Sequence, residues 1–202
     1  MIKNVIFDLG NVVLKLKWDI VITRYTDNED DKKILKEVIF GSEEWIKLDE
    51  GTIKKVDAIQ IMLSKLPERL HEACIEIMKN WQDGLVINTE ILGFIDYLKS
   101  NGYKTYILSN APLDLPEYLE KQDLNKYFDG KIISAEEKIS KPNKKIYELI
   151  LKRFSLIPEE CLFLDDRLEN IESAISCDIN GYVFDYNNFN KFLNDVKNLY
   201  NI

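Results

Sequence analysis

The chain has 202 residues, 35 acidic and 27 basic side chains, a formal charge of -8 and 46% hydrophobic residues, the make-up of an ordinary globular protein with one core and room for an insertion. The acidic balance, with no long run of Lys or Arg, argues against nucleic acid or an anionic membrane surface as the main partner, because both are held by clustered positive charge. No apolar stretch approaches the ~20 residues that span a bilayer, and Asp8 interrupts the first apolar segment where a signal peptide stays apolar, so a cytoplasmic protein acting on a small molecule is expected.

The first apolar run, residues 4–9, is short, continuous and rich in β-branched and aromatic side chains, which predicts a buried parallel strand. Residues 15–88 follow a different rhythm. They show helical periodicity (Ile34, Leu35, Val38, Ile39; then Val56, Ile59, Gln60, Leu63) and no convincing strand, so they read as a small helical insertion. A helix over 89–100, with Ile91, Leu92, Ile95 and Leu98 on one face, ends at the Asn101-Gly102 turn. Strand-like runs at 103–108, 131–133, 161–164 and 182–184 then alternate with helical patterns at 115–122, 144–154, 168–176 and 190–199. That alternation predicts an α/β fold: a parallel sheet with helices on both faces, built from 1–14 and 89–202, carrying the inserted α-helical piece 15–88. No repeat or low-complexity tract interrupts it.

In open α/β sheets the ligand lies at the carboxyl ends of the strands. The polar residues there are Asp8, Ser109 with Asn110, and Asp165 with Asp166; Lys141 sits in a loop before a helix on the same rim. Three carboxylates so placed repel by several kcal/mol unless a cation lies between them. Carboxylate and carbonyl oxygens suit Mg²⁺, which keeps positions open for phosphate oxygens. Lys141, Ser109 and Asn110 supply the charge and donors that a phosphoryl group needs.

The pieces FDLGNVV, LSNA, SKPNKKIYE and FLDDRLENI, in this order and with an insertion after the first, resemble the four motifs of the haloacid dehalogenase-like hydrolases. The resemblance covers essentially the whole chain and is nearest to the sugar-phosphatase-like branch, in which a small helical cap follows the first strand. It implies a Rossmann-like core and a Mg²⁺-dependent phosphatase for a small phosphomonoester, with sugar phosphates as the expected class. Asp8 is then the nucleophile that forms an aspartyl-phosphate. Ser109 and Asn110 hold the transferring phosphoryl group, and Lys141 neutralises it and steadies Asp8. The metal falls to Asp8, the backbone carbonyl of Gly10, Asp165 and Asp166; motif order does not say which of the last two touches it directly.

One position departs from the family pattern. The aspartate that usually stands two residues after the nucleophile, and serves as acid and base, is Gly10 here. A general acid or base contributes about 10²- to 10⁴-fold, so two rivals follow: a catalytically weak binding or regulatory protein on the same fold, and a dehalogenase, which also lacks that aspartate but does not need the metal-binding acids. A substitute from the cap is expected in the segment WIKLDEGTIKK, with Glu50 as the candidate and Trp45 as a candidate substrate contact beside a purely structural role.

Other chemistry is excluded. Cys74, Cys161 and Cys177 are odd in number and scattered, fitting buried thiols rather than disulfides or a metal clip. Cys161 and Arg167 have the spacing of a cysteine phosphatase loop, but two acids between them would oppose a thiolate, and Arg167 reads as a salt-bridging neighbour. His71 is the single histidine and lies in a helical pattern, too few for a histidine-rich metal site.

Overall fold

The computed structural model describes all 202 residues. In chain order they form β1 (Asn4–Phe7), β2 (Leu14–Leu16), α1 (Trp18–Ile22), α2 (Glu29–Ile39), α3 (Glu43–Asp49), α4 (Lys55–Ser64), α5 (His71–Asn80), β3 (Leu85–Ile87), α6 (Thr89–Ser100) and β4 (Lys104–Ser109). The second half holds α7 (Leu115–Lys121), β5 (Gly130–Ile133), α8 (Ser134–Glu137), α9 (Lys144–Phe154), β6 (Cys161–Asp165), α10 (Leu168–Ile175), β7 (Asn180–Val183) and α11 (Phe189–Tyr200). No helix is long and apolar enough to cross a membrane.

Five strands form one parallel sheet in the order β5-β4-β1-β6-β7. Successive side chains point to opposite faces. On β1, Ile6 therefore packs with Tyr147 and Ile150 of α9 and Ile171 of α10, whereas Val5 and Phe7 join the cluster that contains Ile91 and Ile95 of α6 and Phe192 of α11. Both faces are covered, which is why the strands read as unbroken apolar runs rather than alternating ones. The buried Asn88 caps α6 by accepting from the Ile91 N–H at 3.3 Å, and its amide donates to the Val12 carbonyl at 3.0 Å, tying the end of the inserted segment to the turn after β1.

Two expectations require correction. The insertion was expected to hold no strand, yet its two ends pair as an antiparallel ribbon, Leu14 with Ile87 and Leu16 with Leu85. Three-residue strands carry too little periodicity to register in sequence, and their partners lie about seventy positions apart. The last strand also begins earlier than the apolar run at 182–184, because Gly181 sits beneath α10: a β-carbon there would lie 2.7 Å from Ile171 Cγ2. Close packing of helix on strand selects glycine at a point that reads as a turn.

The inserted helices share the main core through Leu35, Ile39, Met62, Ile77 and Met78. An aromatic cluster of Trp18, Phe40, Trp45 and Trp81 fixes their arrangement, with Trp45 ring centroids 4.9 Å from Phe40 and 5.3 Å from Trp81. Asp114, on the loop after β4, clasps this segment from the sheet side by accepting from Lys55 Nζ at 2.7 Å and Trp81 Nε1 at 3.1 Å.

Candidate active site

The sheet brings four sequence-predicted segments to one edge. β1 ends at Phe7, so Asp8 emerges from the centre of the sheet, its N–H still bonded to the Leu164 carbonyl at 2.8 Å. Neighbouring β4 and β6 end at Ser109 and Asp165 on either side of it. The chain then turns sharply: Leu9 O accepts from Val13 and Leu14 N–H groups, and Asn11 takes a positive φ of 53°, which asparagine tolerates better than most residues.

Lys141 is the centre of the arrangement. Its side chain is 1% exposed, and its ammonium lies 2.8 Å from Asp8 Oδ1 and 2.7 Å from Asp165 Oδ2. Burial opposes charge on this lysine, but the two carboxylates outweigh it and hold its pKa above the ordinary lysine value. Its position comes from Asn110, whose Oδ1 accepts from the Lys141 N–H at 2.8 Å and whose Nδ2 donates to the Lys141 carbonyl at 2.9 Å. Asn110, expected beside Ser109 at the phosphate, lines both the cleft and the narrow pocket, and both ends of its amide bond the Lys141 backbone. Ser109 is buried and lines a narrow pocket together with Gly10 and Asp49.

The two aspartates after β6 differ. Asp165 is fully buried and accepts from Lys141 Nζ, the Arg167 N–H at 2.9 Å and the Asn170 amide, which reaches both its oxygens at 3.0 Å. Asp166 lines the open cleft and accepts from Asn11 Nδ2 at 2.9 Å. Oxygens of Asp8, Asp165 and Asp166 lie within 4.8 Å of one another. Burial pushes Asp8 up to about 7, with Lys141 opposing and the charges of Asp165 and Asp166 adding; burial likewise raises Asp166. One ammonium faces three carboxylates, an excess of negative charge in hard oxygen donors, and that donor set fits a divalent cation such as Mg²⁺.

Above this cluster lies a polar cleft of about 530 Å³ whose walls include Asp8, Lys141, Asp166, Asn170 and, from the inserted segment, Asp49 and Glu50. Glu50, the expected cap acid, is half-buried at the end of α3. Its neighbour Asp49 is the residue that sequence reasoning passed over. Asp49 Oδ1 is buried without a hydrogen-bond partner. Burial, with the charges of Asp8, Asp114 and Glu50 adding, pushes its carboxyl up to about 8. Trp45 is buried in the aromatic cluster and also lines the narrow pocket. Burial pushes the Cys161 thiol up to about 12, which removes the cysteine phosphatase alternative, and Arg167 pairs with Glu169.

The model of the haloacid dehalogenase-like hydrolase family matches residues 2–178. A D-ribitol-5-phosphate phosphatase of Bacteroides thetaiotaomicron is 30% identical over 183 residues, covering 85% of this chain and 86% of that protein. A sesquiterpene phosphatase of Aspergillus oryzae is 27% identical over 177 residues, covering 85% and 84% respectively. Among solved structures, an enzyme of the same family from Bacteroides thetaiotaomicron, in complex with magnesium and inorganic phosphate, superposes with a TM-score of 0.72 at 24% identity over 92% of this chain and 96% of that one.

Proposed function

We propose, from the premise that this chain belongs to the haloacid dehalogenase-like hydrolases, that it is a Mg²⁺-dependent phosphatase of a small phosphomonoester, with sugar or polyol phosphates as the first class to test. The observation that carries the reading is the buried Lys141 ammonium bridging Asp8 and Asp165 beside a third carboxylate. A carboxylate held by a neighbouring cation on the wall of an open cleft is the placement a nucleophile needs. The polar walls of the cleft suit hydroxylated leaving groups, and residues 15–88 act as the cap that chooses among them.

In the proposed reaction Asp8 attacks phosphorus, the ester P–O bond breaks, and the aspartyl-phosphate is then opened by water. Lys141 holds Asp8 in position and balances charge on the phosphoryl oxygens, and Ser109 would contact them from the adjoining narrow pocket, which shares Gly10 and Asp49 with the cleft. Asp8, Asp166 and the Gly10 carbonyl would hold the cation, which when bound screens the negative charge of nucleophile and phosphate from each other. Asp165 has its acceptor positions filled by Lys141, Arg167 and Asn170, so its role is to fix Lys141 rather than to touch the metal. Release of inorganic phosphate from a panel of sugar, polyol and prenyl phosphates, with Mg²⁺ or with EDTA, tests the proposal. Metal-dependent release that Asp8→Asn abolishes supports it; no release from any ester by folded protein would favour a binding protein, with Gly10 as the cause.

A further inference from the structure

Loss of the usual acid/base at position 10 leaves a proton to be accounted for at each half of the reaction. The backbone at Gly10 does not forbid a side chain: a β-carbon there would lie 3.8 Å from Asp8 Oδ2 and 3.5 Å from Leu16 Cδ1, ordinary contact distances. The space is present, and a residue from another segment borders it. Asp49 shares two walls with Gly10, that of the polar cleft with Asp8 and Lys141 and that of the narrow pocket with Ser109.

The placement of Asp49 is built into the fold. The Ala111 N–H, in the loop after β4, donates to Ser134 Oγ at 2.9 Å, and the Ser134 hydroxyl donates to the Asp49 carbonyl. Three segments separate in sequence are thereby pinned at one point. The next residue but one, Gly51, has a φ of +65°, and a β-carbon on it would run into the Ala135 carbonyl. The end of α3 is thus seated directly on α8, just past the carboxyl end of β5. Against this fixed backbone, the Asp49 side chain keeps one buried oxygen unpartnered, and an unpaired buried carboxyl oxygen calls for a functional reason.

The geometry points to Asp49 as the acid/base that replaces the aspartate absent at position 10, an inference that rests on the phosphatase reading above. As Asp8 forms its bond to phosphorus and the ester P–O bond breaks, the Asp49 carboxyl gives its proton to the departing oxygen, which leaves as a neutral alcohol. The Asp49 carboxylate then takes a proton from the water whose oxygen attacks phosphorus, the Asp8–phosphorus ester bond breaks, and inorganic phosphate leaves with Asp49 protonated again. Burial, with the charges of Asp8, Asp114 and Glu50 adding, holds the Asp49 carboxyl above the usual carboxylate range, the direction that the first half requires.

The test compares parent, Asp49→Asn and Asp8→Asn with Mg²⁺ on an alkyl phosphate from the panel and on 4-nitrophenyl phosphate, whose leaving group departs without protonation. Asp49→Asn is expected to lower kcat for the alkyl ester by about 10²- to 10⁴-fold with little change in KM. With 4-nitrophenyl phosphate it should keep a fast burst of one equivalent of nitrophenolate, followed by slow turnover, because only the second half then lacks its base. Gly10→Asp in the Asp49→Asn background should recover part of the alkyl ester activity. A loss equal for both leaving groups with no burst, a change confined to KM, or a larger loss from Glu50→Gln would overturn the assignment. Asp49→Ser gives the same readouts should the amide variant fail to fold. If Asp8→Asn retains activity, or the parent releases no phosphate, the phosphatase reading itself fails and this assignment with it. If Asp8→Asn is inactive while Asp49→Asn equals the parent, only the role of Asp49 is lost.

Discussion

Replacing Asn110 with alanine separates a clamp on Lys141 from a contact with phosphate. The Asn110 amide makes two hydrogen bonds, at 2.8 and 2.9 Å, to the N–H and carbonyl of Lys141, a residue only 4% exposed. Alanine leaves both backbone groups with little access to water, and each orphaned group costs about 1–3 kcal/mol, so Asn110→Ala should lose roughly 2–6 kcal/mol. Against a typical total of about 5–15 kcal/mol that is a visible shift in a urea transition followed by circular dichroism. Catalysis should fall as well, because the Lys141 ammonium sits within hydrogen-bonding distance of two carboxylates and depends on that backbone for its position. A displacement of about 1 Å at a reacting centre costs on the order of 10²-fold, read in kcat from phosphate release. A variant with parental stability and a raised KM alone would refute the clamp and return Asn110 to the phosphate.

Two further outcomes follow from the site. Asp8 must lose its proton for a cation to bind, so Mg²⁺ affinity by titration calorimetry should rise with pH through about 7, the value to which burial lifts Asp8, and level off above it. The same raised pKa means that metal-free protein loses stability as pH climbs from the ordinary carboxyl value of 3.8 toward 7, since the folded state holds that proton more tightly than the unfolded chain; Asp8→Asn should flatten that slope. Gly51→Ala should weaken seating of α3 on α8, because it combines a left-handed backbone at +65° with collision against the Ala135 carbonyl. A lowered melting temperature together with reduced kcat is expected, and an unchanged melt would contradict the close approach.

The sequence by itself determined the architecture and most of the residues that gather at the candidate site. Helices 89–100 and 144–154 are legible to the residue because periodic apolar faces lie between caps that the chain spells out, Asn88 and Asn143 at their starts and Asn101-Gly102 and Ser155 at their ends. Asp8, Ser109, Asp165 and Asp166 are legible because strand ends in a parallel sheet must meet at one edge, and Lys141 through the motif SKPNKKIYE in the loop before α9. What the tertiary structure decided are partnerships between residues far apart in the chain. Asn110 meets Lys141 across 31 positions, Ser134 meets Asp49 across 85, and β2 meets β3 across the whole insertion. None of these leaves a periodic or compositional trace. The choice between Asp49 and Glu50 is of the same kind: two adjacent acids look equivalent in sequence, and the difference arises only where α3 ends against α8, leaving one buried Asp49 oxygen without a partner while its neighbour caps the helix.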